Sequence, residues 1–262
     1  MRIIFSNILA IYRRELQGYF ASPLAYTIAG VFWLLAGFFF INLLNAYNLG
    51  SLQADTTGNT TPLDVPYLFL QAFLGVLSSV ALFLLPILSM GLYAEERKRG
   101  TLELLATSPV TNWAVALAKL LAVVTFFATM VLPLLVYEAI VFGATTPPMN
   151  WNVILLGHLG LLLLAAAVLS LGMFISSLTD STILAAVFTF GLVLFLWIVE
   201  LVGQRLGGPI GNALSHLSLL KHFNNLTQGI VDSSSLVLFA SYIVLGLFLT
   251  AQSVDAFRFQ RS

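Results

Sequence analysis

Three ionisable side chains, Glu138, His158 and Glu200, stand inside long apolar runs of this 262-residue chain. In hydrocarbon such groups cost several kcal/mol unless paired or wet, so each is a candidate for gating a membrane pathway or contacting its cargo. Their spacing puts all three about one helical turn, roughly 5.4 Å, inside the same end of their runs. The expectation is that they reach interfacial water; a polar cluster at the outer end of a pathway is the alternative. A second constellation is the unbroken charge run Glu95, Glu96, Arg97, Lys98 and Arg99. Five charges cannot sit in hydrocarbon, which predicts a water-exposed loop between two spans. No phosphate loop G-x-x-x-x-G-K-[ST], no H-E-x-x-H and no G-x-S-x-G is present, and there is no cysteine. The chain therefore carries no recognisable means of hydrolysing ATP, no thiolate chemistry and no cysteine metal site. His158 with Glu138 or Glu200 is the only kernel for an intramembrane enzyme, and no nucleophile stands beside it.

The elements that must position these groups are membrane helices. The chain is 59% hydrophobic and 8% charged, against about 25% charged in soluble domains. Six runs approach or exceed the roughly 20 residues a bilayer requires: 24–45, 67–93, 113–142, 153–177, 182–203 and 236–254. They are continuous rather than alternating, which predicts helices and excludes barrel strands. Ser22-Pro23, Thr111 or Asn112, and Asp180 supply helix-start signals. Pro86 and Pro133 each remove a backbone hydrogen bond and predict kinks that shape the two ends of a pathway. Gly30, Gly37, Gly157 and Gly160 permit close helix packing.

With the N-terminus inside, nine Lys and Arg fall on one side of the membrane and only Arg205 and Lys221 on the other. That asymmetry predicts cytoplasmic termini and a cytoplasmic 94–112 loop. Lys119 is expected to snorkel to the same interface. Residues 1–22 place Phe5, Ile8, Leu9, Tyr12, Leu16 and Tyr19 on one helical face, opposite Ser6, Asn7, Arg13, Arg14 and Gln17. This pattern predicts an interfacial helix with its apolar side toward lipid. The 204–235 segment breaks at Gly207-Gly208-Pro209 and has room for one or two short helices on the outer surface or dipping back into the membrane. No segment between spans is large enough for a soluble domain.

Beyond these patterns, YRRELQGYFASPLAYTIAGVFWLLAGFFF resembles the opening of ABC-2 type transporter permeases, in particular the gliding-motility permease group. EERKRGTLELLATSPVTNWAVALAKLL is similar to the signature region of that family, with Gly100-Thr101-Leu102-Glu103, Ser108-Pro109 and Lys119 in register. Residues 170–190 and 222–250 are similar as well, so the resemblance covers nearly the whole chain.

The resemblance implies an all-α membrane protein, a single permease domain of six transmembrane helices preceded by an amphipathic interfacial helix. It implies a coupling helix in the 94–112 loop that docks on separately encoded ABC ATPase subunits, which would bind ATP and Mg; this chain itself would bind no cofactor or metal. Glu95, Glu96, Arg97, Arg99, Thr101, Leu102, Glu103, Leu104 and Leu105 are then the coupling residues, with the leucines filling a groove on the partner and the charges orienting it. Asp180 offers a further contact point or a helix cap. A second permease subunit, identical or related, is implied, with membrane lipid around it, no nucleic acid, and residence in a prokaryotic cytoplasmic (inner) membrane. The function implied is an ATP-driven transporter subunit, most members of the family being exporters. A gradient-driven secondary transporter or channel is the rival, for which the chain lacks a convincing internal repeat and midplane carboxylates.

Overall fold

The computed structural model describes residues 2–56, 64–102, 110–146 and 148–259. Among them every regular element is a helix and there are no strands. In chain order these are α1 (Arg2–Ala21), α2 (Pro23–Thr56), α3 (Val65–Ser89), α4 (Gly91–Lys98), α5 (Asn112–Gly143), α6 (Trp151–Leu178), α7 (Thr182–Leu206), α8 (Gly208–His216), α9 (Leu219–Thr227) and α10 (Ser233–Phe259). Six of these bodies are long and apolar enough to cross a membrane: α2, α3 running on into α4, α5, α6, α7 and α10. The protein is a multi-pass membrane protein. The end of the bundle where α1, α4 and the start of α5 meet is called the basic end below, and the opposite end the far end.

Helix α6 is the axis of the bundle, with 67% of its most apolar window buried, whereas α7 is peripheral at 17%. Apolar burial gains little between helices already in lipid, so close packing depends on small residues. At Gly246 of α10 an added Cβ would lie 2.6 Å from the Ser170 backbone of α6, and at Gly172 2.2 Å from the Ser89 hydroxyl. Gly157 faces Leu74 at similarly short range, and Gly160 faces Leu226 and Phe223 at 3.0–3.4 Å. Gly30 and Gly37, read as equivalent from sequence, face open space. At the far end, Phe40 of α2, Phe69 and Phe73 of α3, and Phe142 of α5 form an aromatic layer of edge-to-face and stacked rings.

Span boundaries differ from the hydropathy reading chiefly where polar residues extend a helix. Helix α2 continues past Asn45 to Thr56, and the second span continues past Tyr93 to Lys98. The charge cluster is therefore not a loop: Glu95–Lys98 extend the same helical rod beyond its apolar part. Pro86 and Pro133 lie within helices that continue past them. The interruption between α3 and α4 falls at Met90, and its cause is a serine. The Ser176 hydroxyl of α6 accepts from the N–H groups of Tyr93 and Ala94 and donates to the Met90 carbonyl, inserting itself into the helix ladder. Ser181 rather than Asp180 caps α7, accepting from the N–H of Leu184.

Helices α8 and α9 form a hairpin that dips into the bundle from the far end. Gly207 and Gly208, both at positive φ, reverse the chain after α7. Gly203 and Gly211 then let α8 lie against α7, with a Cβ at Gly211 falling 2.8 Å from the Gly203 carbonyl. The turn before α9 is held deep by Tyr242, whose hydroxyl donates to the Leu217 carbonyl. Leu219, Phe223 and Leu226 bury the apolar face of α9.

Candidate functional site

Among the described residues, ionisable groups gather at both ends of the bundle. At the basic end Lys119 of α5 is 2% exposed. Its ammonium lies 2.9 Å from a Glu96 carboxylate oxygen and 3.1 Å from one of Glu15, and 5.2 Å from the centre of the Tyr93 ring. It does not snorkel. A buried cation is tolerated because two carboxylates from different helices surround it. Glu15 belongs to α1, so this cluster ties together α1, α4 and α5. Tyr12, Leu16 and Tyr19 of α1 face the same way, with the Tyr12 hydroxyl donating to Thr125 and the Tyr19 ring stacked on Phe126. Burial, with Glu15 and Glu95 nearby, pushes the Tyr19 phenol well up, so it stays a donor, to the Leu88 carbonyl. Much of the apolar face of α1 therefore rests on protein rather than lipid, while Phe5, Leu9 and Phe20 remain exposed.

The residues expected to couple to an ATPase divide accordingly. Glu96 is consumed by Lys119, and a guanidinium nitrogen of Arg97 donates to the Ser177 carbonyl of α6 at 3.1 Å. Leu102 is 6% exposed and packed into this chain's own core, so it does not stand free to fill a partner's groove. Glu95, Lys98, Arg99 and Thr101 remain exposed, with Glu95 and Arg99 3.6 Å apart one turn along the helix. Glu103, Leu104 and Leu105 lie outside the described residues. Where the chain returns as α5, the Asn112 side chain donates to the Asp255 carboxylate of α10, joining the start of the third span to the end of the sixth.

At the far end the structure separates what equal depth had grouped. Glu138 of α5 is fully buried and its carboxylate lies 3.6 Å from Nε2 of His158 on α6, itself 4% exposed. The reading that these side chains reach interfacial water does not hold for this pair, because both point between helices. Nδ1 of His158 is 2.9 Å from the Ile154 carbonyl, so this nitrogen carries the proton and donates. That leaves Nε2 aimed at Glu138, and neither carboxylate oxygen has a hydrogen-bond partner in the structure. Glu200 of α7 is elsewhere: it accepts from Gln204 at 3.2 Å and lies beside Ser218 at the α8–α9 turn, with Lys221 nearby. It is 7% exposed. Among the described residues no three or more His, Asp or Glu side chains converge as a metal site.

A family model described as ABC-2 family transporter protein matches residues 82–262. This chain belongs to that family. The match runs from the second half of α3 through α10, and includes both halves of each cluster except Glu15. No curated protein matches the chain. As an ABC-2 family member, the protein is a transporter's membrane component rather than its ATPase.

The sequence contained the signals for both clusters, but not their pairings. Lys119 is a charge inside an apolar run, as Glu138 is, but its place near the end of that run read as snorkelling rather than as pairing. Glu15 was visible only as a charge that interrupts the N-terminal segment, and Ser176 had no distinguishing signal at all.

Proposed function

We propose that this chain is the membrane-spanning subunit of an ATP-driven ABC-2 type exporter, coupled to a separately encoded ATPase through residues 94–112. The observation that carries this reading is the exposed edge of Glu95, Lys98, Arg99 and Thr101 at the end of the second span. That edge stands on a brace: Glu96–Lys119–Glu15 ties it to α5 and α1, Arg97 ties it to α6, and Ser176 fixes the joint at Met90. A push at the exposed edge is therefore passed to three helices at once, which is what a transmission element requires. ATP and Mg would be held by the partner, with movement of the braced rod rearranging spans two to four. In this reading Glu138, His158 and Glu200, with Pro86 and Pro133, line or shape the pathway. A second permease copy, identical or related, completes the pathway. The basic end is cytoplasmic and faces the ATPase in a prokaryotic inner membrane, with both termini on that side. The narrower likeness to the gliding-motility permease group rests on the N-terminal run and the 94–119 region.

The test is affinity purification in mild detergent of the wild-type chain, Arg99→Glu and Glu95→Arg, with mass spectrometry of what co-purifies. A P-loop ATPase present with wild type and depleted in the charge reversals, at unchanged thermal stability, supports the coupling edge. Its absence from the wild-type sample, with the protein monodisperse, sinks it in favour of a gradient-driven transporter or channel.

A further inference from the structure

At the basic end a cleft of about 300 Å³ opens between α1, the start of α2 and the α3–α4 joint. We propose that it binds the headgroup of a phospholipid bearing a primary amine, with the phosphate at Arg14 and the ammonium at Glu95. The position is that of a membrane boundary: the cleft sits where Ser22-Pro23 begins one long apolar helix and Met90-Gly91 marks the change from apolar α3 to charged α4. Its wall is divided in the same sense. Leu24, Ala25, Ile28 and Leu88 line the part toward the spans, and Arg14, Glu15 and Glu95 the part toward water. The volume is at the lower end of ligand sites, about 300–1,000 Å³, which suits a headgroup with the upper part of its acyl chains.

Charge selects the ligand. Glu15 is committed to the buried Lys119 ammonium, so the exposed charges among the lining residues are one cation, Arg14, which also lies near Glu96, and one anion, Glu95. Glu95 meets Arg99 only at 3.6 Å and on the surface, a contact weak enough to be exchanged. One positive and one negative group match a zwitterion. An anionic headgroup would set uncompensated charge against Glu95. A choline headgroup carries no N–H to donate to that carboxylate, whereas a primary ammonium carries three. Gly18 completes the shape: it lines the cleft, and a Cβ built there has nothing within 4 Å. A larger residue there would occupy the cleft without displacing the fold.

The test is native mass spectrometry of the purified chain in nonionic detergent with equal amounts of phosphatidylethanolamine, phosphatidylcholine and phosphatidylglycerol. No ATPase is needed, so the outcome is independent of the coupling reading. Wild type is expected to retain phosphatidylethanolamine about tenfold over the other two. Gly18→Trp should lose that adduct while keeping its unfolding midpoint, and Glu95→Gln should lose the preference for the ethanolamine over the glycerol headgroup. Equal retention of the three lipids by wild type, unchanged retention by folded Gly18→Trp, or an undiminished preference in Glu95→Gln overturns the proposal.

Discussion

Replacing Lys119 by methionine tests whether the basic-end brace is held by charge. The side chain is 3% exposed and its two carboxylates 20% each. Removing one partner from a fully buried ion pair costs about 3–5 kcal/mol, since the remaining charge is left without compensation. Here the remaining charges are two carboxylates with partial access to water, which lowers the expected cost to about 2–3 kcal/mol. For a chain of this length that corresponds to a fall in midpoint of roughly 4–12 °C. Thermal unfolding in detergent, followed by the fluorescence of Trp33, Trp113, Trp151 and Trp197, reads it directly. The decisive comparison is the triple variant Glu15→Gln, Glu96→Gln, Lys119→Met, in which the brace carries no charge. It should recover most of the loss, because neutral groups of similar shape carry no desolvation cost of an unpaired ion. A Lys119→Met variant within about 0.5 kcal/mol of wild type would behave as a solvent-exposed lysine does and refute the buried brace. So would a triple variant no more stable than the single one.

Other substitutions probe separate joints. Gly246→Ala places a methyl 2.6 Å from the Ser170 backbone, where α6 and α10 pack most closely, and should cost about 1–3 kcal/mol by the same unfolding assay; Gly37→Ala, facing open space, should be neutral or slightly stabilising. Ser176→Ala leaves the N–H groups of Tyr93 and Ala94 and the Met90 carbonyl without their shared partner. A loss of about 1–3 kcal/mol is expected, with protease sensitivity rising at the α3–α4 joint; unaltered sensitivity would show the helix closing its own ladder. Glu138→Gln keeps the shape and offers an amide N–H toward Nε2 of His158, so folding should hold while transport in proteoliposomes with the partner ATPase falls about tenfold. Full transport by that variant would reduce the pair to packing.

What the sequence by itself determined is the class of the protein. Continuous apolar runs separated by charged or Gly-Pro segments leave only helices crossing a bilayer, because unsatisfied backbone in hydrocarbon is too costly for any irregular alternative. The charge run at 95–99, the break at Gly207-Gly208-Pro209 and the exceptional positions of Glu138, His158 and Glu200 were equally legible, since each departs from an apolar background. Pairing was not legible. Depth along a helix follows from counting residues, but the direction in which a side chain points depends on which helix lies beside it. Thus Glu138, His158 and Glu200 share a depth, yet only the first two face one another, while Glu200 meets the α8–α9 turn. Likewise Lys119 looked like a snorkelling lysine until α1 and α4 brought Glu15 and Glu96 to it from either side of the sequence. Between helices already in an apolar solvent, the choice of neighbours is made by close contacts at small residues and by a few polar bonds, such as those of Gly246, Gly172 and Ser176. Those contacts exist only once distant segments are brought together, and tertiary structure alone supplied them.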